Sequence, residues 1–236
     1  DKLKLFFNPI CADHGNSIGA ALEYYYQQTG KNPIPSYMPL YLGSSYSDEE
    51  VLFSANRFNF KISKVNKIDS AIDLIERGKV IGWFQGRSEF GPRGLGNRSI
   101  LSLPTEQKYK DIVNEKVKKR ESWRPFCPTI IEEKSNEFLK NPTYAPYMIL
   151  GFEMKNPELY TAVSHIDGTC RPQILRKEVN PDFYHVVKGL NGIVLNTSFN
   201  LAGDPIVETP HDALITLKNS EMDALLINDF LIEKCV

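Results

Sequence analysis

The chain has 236 residues, 42% of them hydrophobic and 24% charged, with a formal net charge of −1. Those values describe a folded protein with material for a real core, and they exclude intrinsic disorder. No apolar run approaches the ~20 residues of a membrane span, and no basic-then-apolar secretory leader opens the sequence, so a cytoplasmic protein with no membrane partner is expected. The charge is unevenly placed: residues 1–66 hold six basic and six acidic side chains, 67–124 thirteen and eight, and 125–236 nine and fifteen. A basic middle third predicts an anionic ligand, whereas nucleic acid would call for a broader basic surface with stacking aromatics. Cys11, Cys127, Cys170 and Cys235 are scattered without a CxxC pair, which predicts free thiols rather than a zinc site.

In chain order, Leu3 to Asn8 reads as a strand and Asn16 to about Gln28 as a helix with Ile18, Ala21, Leu22 and Tyr25 on one face. The turn between them carries Asp13, either a helix cap or a ligand for phosphate or metal. Pro33, Pro35 and Pro39 mark an irregular connection, followed by a short helix at Asp48 to Ala55 and a strand at Phe58 to Val65. Ile68, Ala71, Ile72 and Ile75 define a further helix that stops at Gly78. Val80 to Phe84 and Ile100 to Leu103 are strands flanking the loop EFGPRGLGNRS, Glu89 to Ser99. With Arg87, its Arg93 and Arg98 place three guanidiniums within twelve residues, a pattern suited to phosphate or carboxylate. A tight strand connection with solvated arginines fits the glycines equally well.

Thr105 to Lys119 reads as an amphipathic helix capped at Thr105 and packed through Tyr109, Ile112, Val113 and Val117. Its terminal Lys116, Lys118, Lys119 and Arg120 suit a helix carboxyl end. Arg124 lies between Trp123 and Phe126, where stacking would hold an anion clamp. Strands are expected at Pro128 to Ile131 and Tyr147 to Met154, and HIDGTCRPQ, His165 to Gln173, reads as a turn followed by an extended Arg171. Ile193 to Val207 is a β-branched strand ending in Asn196, Thr197, Ser198 and Asn200, side chains that either hold a ligand or satisfy a buried turn. A helix from Thr209 to Leu217 and strands at Ala224 to Ile227 and Phe230 to Ile232 complete a mixed α/β pattern.

The motifs GWFQGRSEFGPRGLGNRS, ESWRPFCPTI, DGTCRPQ and VLNTSFNLAGDPIVETP, in that order, resemble the carboxy-terminal half of the NodU/CmcH-type O-carbamoyltransferases from about Val65 onward. TSFNLAG is also similar to the Ser-x-Asn segment of the YrdC-like fold. The resemblance implies a YrdC-like twisted mixed sheet with flanking helices over 65–236. It implies the end of an actin-like domain, a strand-helix remnant, and a linker over 1–64.

The activity it implies is formation of carbamoyl adenylate from carbamoyl phosphate and ATP, then transfer of the carbamoyl group to a small-molecule hydroxyl. Mg²⁺ would arrive with ATP, and Fe²⁺ or another divalent metal would sit in the actin-like domain, with Asp13 among its ligands only in a longer protein. The chain starts too late to include the family's histidine ligands, so it is expected to form the adenylate without completing the transfer. Arg93 and Arg98 would hold phosphates, Arg124 and Arg171 the carbamoyl phosphate or adenylate, and Arg87, Asn196, Ser198 and Asn200 the nucleotide or carbamoyl group. The alternatives are a YrdC-like threonylcarbamoyl-adenylate synthase of tRNA modification and a non-catalytic nucleotide-binding regulatory domain.

Overall fold

The structure, a computed structural model, describes residues 9–10, 13–31 and 40–235. The expected strand at 3–8 and the prolines at 33, 35 and 39 lie outside those residues. Helix α1 (Asn16–Thr29) buries none of its residues and ends on Gly30, whose left-handed backbone (φ 66°) lets its N–H return to Tyr26 O. Its N-cap is Gly15, without a side-chain bond, so Asp13, exposed in the preceding 3₁₀ turn, does not cap it. Helix α2 (Asp48–Ala55) opens with a Ser47/Glu50 capping box and buries Val51 and Ala55.

Strand β1 (Phe60–Lys64) leads to α3 (Lys67–Glu76), where Asn66 accepts from the Ile68 and Asp69 amides and Ala71 and Ile75 face inward. Strands β2 (Ile81–Phe84) and β3 (Arg98–Ser102) bracket the arginine loop. Helix α4 (Gln107–Asp111) passes directly into a π-helical segment, Ile112–Lys118. The expected Thr105 cap is displaced: Glu106 takes that position and its side chain makes no cap bond. Strand β4 (Cys127–Ile131), helix α5 (Ser135–Phe138) and the short pair β5 (Phe152–Glu153) and β6 (Thr169–Cys170) follow. The expected strand from Tyr147 to Met154 shrinks to β5, since Met148 turns the chain with φ 55°. The remainder is β7 (Gln173–Leu175), α6 (Pro181–Gly189), β8 (Ile193–Ser198), α7 (Pro210–Asn219), β9 (Ala224–Ile227) and β10 (Phe230–Lys234).

Eight strands form one sheet in the order β1-β10-β9-β2-β3-β8-β4-β7. The β2–β9 and β4–β7 pairs are parallel and the others antiparallel. Every residue of β2, β3, β4 and β9 is buried, because helices cover both faces. On one face Ile100, Leu195 and Leu225 pack with Val113, Val117, Leu214 and Leu217; on the other Trp83, Leu101, Val194 and Leu226 pack with Ile75, Phe183 and Val187. Strand β1 and helix α2 belong to this same body, through the pairing of β1 with β10 and the packing of Val51 and Ala55 into the first core. The mixed α/β class expected from the sequence is the class observed.

Candidate anion-binding site

Strand β8 begins apolar and ends polar, and its two-residue period puts Val194, Asn196 and Ser198 on one face. Asn196 lies opposite Leu101 of β3 and Cys127 of β4, and Ser198 opposite Ser99. Asn196 is 1% exposed. Its Nδ2 donates to Thr129 Oγ1 (3.0 Å) and Gln173 Oε1 (3.3 Å), Thr129 Oγ1 donates to Gln173 Oε1 (2.8 Å), and Gln173 Nε2 donates to Leu95 O (2.8 Å). This ladder ties β8, β4, β7 and the arginine loop together, while Asn196 Oδ1 is buried with no partner.

Beyond Asn196, Lys118 enters from the π-helical segment. It is 3% exposed, and its Nζ donates to Ser198 O (2.5 Å), Ser198 Oγ (3.2 Å) and Asn200 Oδ1 (2.6 Å). Ser198 Oγ in turn donates to Asn200 Oδ1 (2.7 Å). No carboxylate pairs with Lys118 among the described residues, and burial, aided by Arg120 and Arg124, pulls its pKa down to about 7. Arg120 is held by its Nε bond to Asn114 Oδ1 (2.7 Å) and lies 4.8 Å from the Phe126 ring centre; burial and then Arg124 lower it to about 10.

Arg93 and Arg171 complete the cluster. Burial and then Arg171 lower the Arg93 pKa, with Cys127 opposing. Arg171 Nη2 lies 3.5 Å from Cys127 Sγ, and its Nε is buried without a partner. Arg93, Arg120 and Arg171 thus all act on Cys127, at the start of β4 and opposite Asn196. Guanidiniums held this close repel one another, and an anion with several oxygens relieves that repulsion.

The arginine loop reaches this cluster because it approaches β8 closely. A Cβ on Gly94 would lie 2.9 Å from Ser198 Cα and 2.5 Å from Arg98 O, so only glycine fits there. The amides at the base of the loop are already used by its own acid: Glu89 Oε1 accepts from Leu95 N (2.7 Å), Asn97 N (2.7 Å) and Arg98 N (3.2 Å). Desolvation raises the Glu89 pKa against those bonds.

Two arginines expected in the site face away from it. Arg98 is fully buried, stacked 3.5 Å from the Phe84 ring centre. Its Nη1 donates to Gln85 O, Gly86 O and Asn97 O, and its Nη2 to Ser44 O. That guanidinium fastens the loop to the 40s segment. Arg87 does the same through Nε to Gly43 O (2.8 Å) and Nη2 to Leu42 O (2.7 Å).

A family model described as "Carbamoyltransferase C-terminus" matches residues 72–234. The chain belongs to that family. It is 36% identical over 244 residues to the nodulation protein NolO of Bradyrhizobium diazoefficiens, covering 98% of this chain and 44% of that protein. It is 27% identical to the 3′-hydroxymethylcephem-O-carbamoyltransferase of Amycolatopsis lactamdurans, covering 95% and 43%. The chain therefore spans less than half the length of these relatives. Among solved structures, full-length HypF in its phosphate- and nucleotide-bound form shares the fold, with a TM-score of 0.53 and 18% identity over 70% of this chain and 25% of that one. The YrdC-like mixed sheet expected from the motifs agrees with that likeness.

In this family member, Arg93 and Arg171 come to Cys127, opposite Asn196, and Ser198 and Asn200 meet at Lys118. Arg124 adjoins them, but it is exposed and pairs loosely with Glu121 (3.8 Å) instead of stacking between rings; Arg120 on Phe126 takes the stacked role. Lys118, which helical periodicity places at a helix end, is the buried cation bonded to Ser198 and Asn200. Its one signal was position: Asn114 and Lys118 run four apart beside the apolar pair Val113 and Val117, on what becomes a buried edge. Asp13 is exposed, and no group of three metal-type ligands exists among the described residues. Cys127, Cys170 and Cys235 are free thiols, while Cys11 lies outside the described residues.

Proposed function

We propose that this chain is the adenylate-forming part of an O-carbamoyltransferase, taking ATP and carbamoyl phosphate to carbamoyl adenylate. In this reading water hydrolyses carbamoyl phosphate to carbamate and inorganic phosphate, and the carbamate attacks the α-phosphorus of ATP through its oxygen. The bond between the α-phosphorus and the α,β-bridging oxygen breaks and pyrophosphate leaves. Two polyanions must be held together and charge builds on the leaving group, so the chemistry calls for fixed cations at one strand end. The observation that carries the reading is buried Lys118, bonded to Ser198 and Asn200 beside Arg93, Arg120 and Arg171.

Roles follow from placement. Lys118, Arg120, Arg93 and Arg171 would share the phosphates of the nucleotide and of carbamoyl phosphate, and the Asn196–Thr129–Gln173 ladder would orient the carbamoyl group. The described residues gather no carboxylate cage, so Mg²⁺ would be carried on the nucleotide and add charge neutralisation there. The hydroxyl acceptor would meet the adenylate in the remainder of a longer protein. Release of pyrophosphate from ATP with carbamoyl phosphate, compared with bicarbonate plus threonine, tests the reading. Release with the second pair alone would make the chain a threonylcarbamoyl-adenylate synthase, and release with neither would leave a nucleotide sensor.

A further inference from the structure

The chain has two tryptophans, and the fold treats them oppositely. Trp83 is fully buried and donates from Nε1 to Gly96 O (2.8 Å). Trp123 is 73% exposed, and among the described residues it has no hydrogen-bond, ring or cation partner. A single exposed aromatic is ordinary. This one lines a hollow of about 670 Å³ together with Pro125, Pro157, His165, Ile166 and Lys110.

The hollow adjoins the cationic cluster in two independent ways. Trp123 and Pro125 face it, and Cys127, two residues further on, touches Arg171. The intervening residues turn elsewhere, Arg124 to a second hollow shared with Arg120 and Lys119, and Phe126 into the core. Four residue steps from Trp123 to Cys127 span at most ~14 Å between Cα atoms, a separation on the scale of an extended nucleotide. On the opposite wall, His165 feels the charges of both Arg171 and Lys110. Its Nδ1 lies 3.0 Å from Thr169 Oγ1, which leaves the second ring nitrogen for the hollow, and burial lowers its pKa with Asp167 opposing. The walls thus offer a bare aromatic face, apolar Pro125 and Ile166, an imidazole, and a route to fixed cations.

Resting on the nucleotide reading above, we infer that the hollow beside Trp123 receives the heterocyclic base of the nucleotide, stacked on the indole, while its phosphates lie at Arg93 and Arg171. Stacking is tolerant of base identity, and selectivity for a particular base falls to His165.

Tryptophan fluorescence of the 236-residue chain tests this directly, because exposed Trp123 supplies the long-wavelength emission and buried Trp83 the short. AMP is expected to quench the long-wavelength component. Inorganic phosphate and ribose 5-phosphate, detected by calorimetry, should bind without quenching it. The variant W123L should lose about tenfold in AMP affinity and keep its affinity for inorganic phosphate. AMP bound with no quenching, and with equal affinity in W123L, would place the base elsewhere and overturn the inference while leaving the nucleotide reading intact. A chain that binds neither AMP nor phosphate would overturn both.

Discussion

Replacing Lys118 by methionine should make the ligand-free protein more stable and its site less useful. Lys118 titrates near 7 instead of its ordinary 10.5, and at ~1.4 kcal/mol per tenfold step the charged form costs the fold about 5 kcal/mol. The sign follows from proton counting. Between pH 7 and 10.5 the unfolded chain keeps a proton that the folded chain has released, so stability rises with pH across that window and the full cost is present below it. K118M removes that cost, and it also removes the bonds to Ser198 and Asn200, which are worth roughly 1.5–3 kcal/mol to a charged group. The expected net gain at pH 6 is about 2 kcal/mol, or ~4–8 °C in Tm for a chain of this size. The gain should shrink above pH 7, vanish near about pH 8.5 and become a loss of about 2 kcal/mol by pH 10. Calorimetric melts of both proteins at several pH values read the difference, and titration with AMP at pH 7 should show the variant at least tenfold weaker, as expected for loss of one charge-assisted contact. A Tm difference that does not change with pH, or unaltered AMP affinity, would refute the account of Lys118 as a buried cation held for an anion.

The other arginines and the loop separate by the same logic of partners. Arg98→Met should destabilise by about 3–5 kcal/mol, because it strands the buried carbonyls that the guanidinium satisfies; a thermal melt unchanged within error would show that the guanidinium does not fasten the loop. Arg93→Ala, exposed and without hydrogen bonds among the described residues, should leave Tm unchanged and weaken binding of inorganic phosphate, with a shallower salt dependence measured by calorimetry. Gly94→Ala places a methyl against Arg98 O and Ser198 Cα; it should cost about 1–3 kcal/mol and lower phosphate affinity together, by pushing the loop off β8. Loss of stability alone would leave the loop outside the site.

Much of the frame was legible because its signals are local. The helix Asp48–Ala55 and the strand Ala224–Ile227 have the bounds their patterns predict, since capping and continuous apolar runs fix them within a few residues. Helix α6 went unread: Asn180-Pro181 resembles a turn, although Asn180 caps the helix and Phe183, Val186 and Val187 give it a buried face. Arg93 and Arg98 show the limit most clearly. They are the same residue type five positions apart in one loop, and what separates them is Ser44 O, brought to Arg98 from 54 residues away. Trp123-Arg124-Pro125-Phe126 suggested a stacked Arg124, but Phe126 is claimed by Arg120, a pairing that depends on how the helix before it is wound. Periodicity read that helix as regular, and so left Lys118 among solvated lysines.

That winding has an evolutionary side. A π-helical turn is an α-helical turn carrying one extra residue, and each residue of an α-helix turns the chain by about 100°. Deleting Glu115 or Lys116 would let the segment relax to an ordinary helix and swing Lys118 away from Ser198, although every residue of the site would still be present in the sequence. Charge in this site is therefore set by a count as well as by an alphabet, and a one-codon deletion could disarm the module while leaving all four of its recognisable motifs intact.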